Sequence, residues 1–271
     1  MKQKLLIILF FFIGFISISS AGELEANILQ LKKTKSCTGC NFHEADLSWE
    51  DLSGVDLSWA DLSGVDLSWA DLSKSKINGA NLTGANLSWT DFTGANLSEA
   101  NLSAANLTET DLVEANLFKA DFTGASFIRT NLSGANLNRV NLHGNNLMLL
   151  NLMRVNLSEA NLSGADLTKT YLTGANLSGA NLSGAILTEA KLEEVNLSGA
   201  NLSRANLRKA NLFKANLNRA DLTGADLTAA YIAGADLSEA DLTGADLIRL
   251  SPSEVTLCNT KTPWGEDNSG C

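Results

Sequence analysis

From Phe42 to Leu247 every fifth residue is large and apolar, and no insertion or deletion disturbs that register. Of these 42 positions, 36 are Leu, four are Phe (42, 92, 122 and 127) and two are Ile (77 and 232). Two residues before nearly every one stands a small residue, Ala in 28 cases and otherwise mostly Val or Thr. The residue between them is nearly always Asn or Asp, and Ser or Thr usually follows. A period of five matches neither the 3.6-residue turn of an α-helix nor the two-residue alternation of a strand, so both readings fail over this length. It fits a coil in which five residues form each side of a square. The Leu and the small residue point inward, and the other three face solvent. Four sides make a twenty-residue coil, and equivalent residues of successive coils stack at the strand spacing of ~4.8 Å. The run holds about ten and a half coils, hence a rod roughly 50 Å long.

Such a rod has no need of a globular core. Burying one Leu contributes ~1.5–3 kcal/mol, and a continuous stack of them offsets the ordering entropy of the chain. Aromatic residues are only 6% while Leu, Ala, Asn and Ser recur monotonously. Because the apolar residues are regular and plentiful, that monotony marks a repeat and not disorder. The two end coils present open strand edges, which need covers against end-to-end aggregation. Glu23–Lys35, with Leu24, Ile28 and Leu31 on one helical stripe, reads as the first cap, and the tail beyond Pro252 as the second.

Lys2 and Lys4, the apolar run Leu5–Ile18 and the small residues Ser19-Ser20-Ala21 read as an export signal cut after Ala21. The run is too short for a ~20-residue membrane span, and no other membrane segment follows. Cleavage removes two lysines, which leaves 18 basic against 30 acidic side chains and a net charge of −12. Nucleic acid is a poor partner for so acidic a chain. The four cysteines flank the repeats, and in an exported chain they pair most simply as Cys37–Cys40 and Cys258–Cys271.

Units such as Ala85-Asn86-Leu87-Ser88 and Ala95-Asn96-Leu97-Ser98 resemble the pentapeptide-repeat family: a small residue, Asn or Asp, Leu or Phe, a polar residue and often Gly. The resemblance covers about three quarters of the chain. It implies an all-β fold, a right-handed quadrilateral β-helix, frequently dimeric, so a homodimer is one expected assembly. Glu23–Cys40 resembles the short helix and Cys-x-x-Cys that precede the first coil in exported members, and residues 257–271 resemble their Cys-to-Cys ending. The expected organisation is a signal at 1–21, a cap with the Cys-x-x-Cys at 22–40, the repeat rod at 41–250 and a disulfide-looped cap at 251–271. The expected location is periplasmic or extracellular, or the thylakoid lumen of a photosynthetic source.

Stacking every twentieth residue maps the surface. One corner row begins Trp49, Trp69, Trp89, and Trp59 occupies another corner. These rings either bind a sugar ring or membrane interface, or stack on each other and stiffen the first coils. Glu44, Asp46, Glu50, Asp51, Asp56, Asp61, Asp66 and Asp71 gather at the same end. Stacked carboxylates could hold Ca²⁺, or simply accept turn amides. A third feature is Asn145–Met153. Asn145 and Leu150 fall on inward positions that elsewhere are nearly always small, while Met148, Leu149 and Met153 face outward near Tyr171. This is either a candidate partner site or a bulge made by fitting Leu150 into the row of Thr130 and Thr170. The side that includes Leu62 has Gly at most corners from Gly64 to Gly244 and a row of Ser and Thr, such as Thr83, Thr123 and Thr223. It is expected to be flat enough for a periodic ligand.

Enzyme chemistry is not expected. His43 and His143 are five coils apart, ~24 Å, and no nucleophile–base set can form from them. Every Gly of the repeats belongs to a turn, so no phosphate loop is present, and no cofactor is implied. The reading is therefore an exported scaffold or binding module for a protein or polysaccharide. One rival is the DNA mimicry of family members that protect topoisomerases, which an export signal argues against. Another is a thiol or metal role for Cys37 and Cys40 with His43, too few ligands for a zinc signature. N-terminal sequencing of purified protein should begin at Gly22. An intact Met1 in a cytosolic fraction would revive the topoisomerase reading.

Overall fold

Five residues are too few for a strand and a separate loop, so each side of the coil resolves into one bridge and one turn. The computed structural model describes residues 20–250 and 255–271. The apolar run Leu5–Ile18 lies outside the described residues. The Asn or Asp of each side forms a parallel bridge to the residue twenty positions on, as in Asn41↔Asp61, Asn161↔Asn181 and Asp241↔Lys261. A turn follows at once. The Ala160 N–H donates to Leu157 O at 3.1 Å, and the corner residue Glu159 has φ +58°. An i+3 to i bond with positive φ at the third residue is type II geometry. Three further bonds tie a side to the next coil. Leu157 N–H donates to Asn176 O at 2.7 Å, Glu159 N–H to Ser178 O at 2.9 Å, and Asn176 N–H to Val155 O at 3.0 Å.

The Gly corners have the positive φ expected of them, and the other corners share it. Positive φ occurs whether or not the corner is Gly: Trp49 has +62°, Glu159 +58°, Gly64 +65° and Gly184 +64°. The left-handed region costs a non-Gly residue roughly 1–2 kcal/mol. Ladder bonds on both flanks of the corner hold it there. The Gly-rich side therefore has the same backbone as its neighbours and differs only in what projects from it.

Inside, Leu57, Leu62, Leu67 and Leu72 are fully buried on four successive sides, with Ala rows between them. Where Thr replaces Ala it is satisfied within the wall. The Oγ1–H groups of Thr90, Thr110, Thr130 and Thr170 donate to the Leu67, Leu87, Leu107 and Leu147 carbonyls at 2.7–2.9 Å. Outside, Asn side chains form their own ladder. Asn116, Asn136, Asn156, Asn176 and Asn196 each donate through Nδ2 to Oδ1 of the Asn one coil earlier, at 3.1–3.3 Å. Each Asx also accepts the amide two residues on, closing an Asx turn.

The ends continue the register. Helix α1 (Ser20–Thr34) lays Leu31, fully buried, with Leu24 and Ile28 on the first coil, and Lys32 Nζ pairs with Glu50 Oε1 at 2.8 Å. Its first turn contains the bond expected to be cut. Cys37 stands five residues before Phe42, takes the large inward position, and is fully buried against α1. Its disulfide to Cys40, which stands in the small row, closes that side. At the other end, strands β1 (Thr260–Thr262) and β2 (Gly265–Asp267) form an antiparallel hairpin. β1 also serves as a last ladder rung, with Leu242 N–H donating to Lys261 O at 2.7 Å. The Cys258–Cys271 disulfide ties the hairpin down. An apolar cavity of about 150 Å³ remains beneath it, lined by Leu237, Leu242, Leu247, Leu257 and Trp264 among others.

Because the Leu stack is the core, truncating one member should be costly. Leu157→Ala should lower stability by about 2–5 kcal/mol in urea unfolding. A loss below about 1 kcal/mol would show that neighbouring coils close the gap.

Candidate functional site

The tryptophans form a stacked column. The ring centroids of Trp49 and Trp69 lie 4.9 Å apart and those of Trp69 and Trp89 4.7 Å apart, with planes within 1° and 2° of parallel. Both faces of the middle indole are covered, so Trp69 shows solvent its edge. Sugar stacking needs a face. Trp59, on the diagonal corner, lies flat over Gly79, where an added Cβ would come within 2.3 Å of the ring. Glycine is required there for space.

At the acidic end each aspartate is engaged by its own turn, and Glu50 pairs with Lys32. Asp46 Oδ1 accepts Ser48 N–H at 3.0 Å and Ser48 Oγ–H at 2.6 Å. Asp51, Asp56 and Asp61 repeat this with Ser53, Ser58 and Ser63. The serine hydroxyls first, and the amides with them, hold these carboxyls below their ordinary range. Among the described residues no three His, Cys, Asp or Glu side chains converge as a metal site. Cys37 and Cys40 are bonded to each other, and His43 Nδ1 lies 2.8 Å from Ser63 Oγ. His143 does the same with Ser163.

The Ser/Thr side spends its hydroxyls similarly. Ser63, Thr83, Thr123 and Ser203 donate to the Asx two residues earlier, and Ser48, Ser88, Ser158 and Thr168 do so on other sides. These donors are committed to the wall, leaving their lone pairs for any ligand.

The irregular stretch is a different case. Between Ser36 and Asp246, among the described residues, the ladder lacks two rungs, Ser126/Asn146 and Asn131/Asn151. Beside the gap, Met148, Leu149 and Met153 are 41%, 60% and 43% exposed, and Tyr171, bridged to Asn151, is 46% exposed. Ile128, 61% exposed, stands one coil above Met148 and completes the cluster. Sequence reasoning missed it, although its offset of twenty residues places it there. An open cleft of about 410 Å³ lies between Phe127–Arg129 and Asn146–Leu150. Leu150 stands in the small row beside the two missing rungs, and apolar side chains are exposed next to it.

The family model for pentapeptide repeats matches the chain in eight copies, over segments running from 40–79 to 220–257. The chain belongs to the pentapeptide-repeat family. The wall of four-sided coils is the right-handed β-helix of that family. Among solved structures, HetL, involved in heterocyst differentiation regulation in Nostoc sp. strain PCC 7120, is 35% identical. That match covers 89% of this chain and 97% of HetL, with a TM-score of 0.33. AT2G44920 from the Arabidopsis thaliana thylakoid lumen is 33% identical over 35% of this chain and 66% of its own, TM-score 0.34. The plasmid-mediated fluoroquinolone resistance protein QnrB1 is 20% identical over 80% of this chain and 90% of its own, TM-score 0.37. A search of curated proteins found no match.

Asp46, Asp51, Asp56, Asp61, Asp66, Asp226 and Asp241 make the stability of this pentapeptide-repeat rod acid-sensitive. Their carboxyls are held below the ordinary 3.8 in the folded chain, so their contribution is complete above that value. It is lost as pH falls through the lowered values. Melting curves should be flat from neutral pH down to about 5 and shift downward below about 4. A melting temperature independent of pH down to about 2 would refute the role assigned to the Asx turns.

Proposed function

We propose that this pentapeptide-repeat chain is an exported, non-enzymatic binding module that presents a rigid rod to a protein partner. In this reading residues 1–21 are removed on export, 22–40 cap the first coil, 41–250 form about ten and a half coils, and 251–271 close the far end. The two disulfides support an oxidising compartment, since such bonds persist outside the cytoplasm. One neighbour, AT2G44920, comes from the thylakoid lumen. The tails with their Cys pairs fit the exported subset of the family.

One observation carries the choice of partner. The exposed apolar cluster of Ile128, Met148, Leu149, Met153 and Tyr171 sits on a wall whose other exposed positions are mostly Asn, Asp, Ser, Thr and charged corners. A contiguous apolar patch on a polar rod marks a protein interface. A polysaccharide partner is less well served, because both faces of Trp69 are covered and the hydroxyls of Ser63, Thr83, Thr123 and Ser203 are committed to the wall. A homodimer through the same patch is one form such an interface takes.

The test replaces Met148, Leu149 and Met153 together with Ser. The variant should keep the wild-type circular dichroism and melting temperature. It should no longer yield the crosslinked adduct that a photo-crosslinker at position 171 gives in the native compartment. The same adduct in undiminished yield would place the interface elsewhere.

A further inference from the structure

The gap in the ladder is a seam with open backbone edges. Along the first lip the N–H groups of Phe127, Arg129 and Leu132 lack the bonds to the next coil that their equivalents make. One coil earlier, Leu107 N–H donates to Ser126 O at 2.9 Å and Glu109 N–H to Ile128 O at 2.8 Å. Along the second lip Asn146 and Asn151 N–H lack theirs. The other two sides of the same coils keep their bridges, although Gly124 N–H lacks the bond that Ala104 and Gly144 make to the next coil. Phe122 N–H reaches Asn141 O at 2.9 Å, Leu137 N–H reaches Asn156 O at 2.8 Å, and the Asn116–Asn136–Asn156 side-chain ladder runs through unbroken. The two coils therefore open like a wedge, hinged on one pair of sides and parted on the other. The mouth is at the corner of Arg129 and Leu149.

Its cause is side-chain volume and a diverted acceptor. Phe122 and Phe127 are successive large residues of one coil, with centroids 5.2 Å apart. Beneath them, Leu150 stands in the Thr row and cannot make the bond to Phe127 O that Thr130 makes to Leu107 O. Asn145 stands in the small row and donates Nδ2 to Phe122 O at 3.0 Å and to Ala125 O at 3.1 Å, so it occupies the carbonyl that Asn146 N–H would use. Asn145 Oδ1 is buried with no partner. Overfilling a tight core forces the walls apart.

We propose that this seam, resting on the reading of the rod as a protein-binding module, receives an extended polypeptide segment of the partner. The segment adds to the open edges by backbone hydrogen bonds and seats apolar side chains on Ile128, Met148 and Leu149. The spacing specifies the occupant. The free donors Phe127 and Arg129 are two residues apart, as are the carbonyls of Asn146 and Met148 that would have received them. That is the interval at which an extended strand presents its own N–H and C=O groups to one side. A sugar or an alkyl chain has no such alternation. The apolar rim then selects a strand with large apolar residues on the alternate positions.

The experiment compares the full chain with Asn145→Ala/Leu150→Thr, which restores the small row and the Thr bond and should close the seam. The probe is a fluorescein-labelled alternating Val-Thr heptapeptide, with a control peptide methylated on alternate backbone nitrogens. Amide exchange at Phe127 and Arg129 should be fast in the parent and slow in the closed variant, while Leu107 and Glu109 are slow in both. Peptide affinity, read by anisotropy, should fall at least about tenfold in the closed variant and for the methylated peptide. Slow exchange at Phe127 and Arg129 in the parent overturns the seam. Equal peptide binding by the closed variant overturns the docking. Should the closed variant still give the native crosslinked adduct, the seam is not the partner's site, although the binding-module reading stands. Loss of that adduct in the closed variant supports both.

Discussion

The structure depends on one constraint: successive coils must stay at hydrogen-bonding distance on all four sides at once. Each side has a single bridge, so no side can shift without straining its neighbours. The buried rows must then have matched volumes around and along the rod. Leu in the large row and Ala in the small row satisfy that requirement, and the ladder bonds follow. Where Thr enters the small row it is tolerated because its hydroxyl reaches the Leu carbonyl one coil earlier, as at Thr90, Thr110, Thr130 and Thr170.

The same constraint explains why the surface is permissive. Corners accept Trp, Lys, Glu, Arg or Leu in the left-handed region because the ladder, and not the residue, fixes their conformation. Cross-coil pairs such as Arg139 with Glu159 and Arg219 with Glu239 then form along the corner rows, as the tryptophans do. These exposed pairs contribute little to stability. Their effect is to leave few free charges on the rows they occupy. The apolar cluster around Met148 stands out against that background.

Much of the architecture was legible before any coordinates. The register from Phe42 to Leu247 placed nearly every buried large side chain, and the positions of four cysteines at two ends indicated both disulfides. The shared corner row of Trp49, Trp69 and Trp89 indicated stacking as one of two outcomes. Other features were less visible. Cys37 continues the large row by its offset from Phe42, yet its chemistry drew attention to pairing instead of packing. Ile128 looked ordinary because its exposure depends on what lies twenty residues away. The positive φ anticipated at the Gly corners holds at the non-Gly corners as well, since hydrogen bonds from both adjoining coils outweigh their local preference.

The sequence by itself determined the period, the inward rows and the family, because a five-residue repeat admits one regular way of burying a Leu every fifth position. It also located the stretch where the small row is violated, at Asn145 and Leu150. What only the tertiary structure decided is how that violation is absorbed. A bulge could have stayed within one side. Instead two adjacent sides open while the opposite pair remains hinged on an unbroken Asn ladder. That outcome depends on the summed volume of Phe122, Phe127, Asn145 and Leu150 across two coils, and on which carbonyl the Asn145 amide captures. Neither quantity belongs to any single repeat.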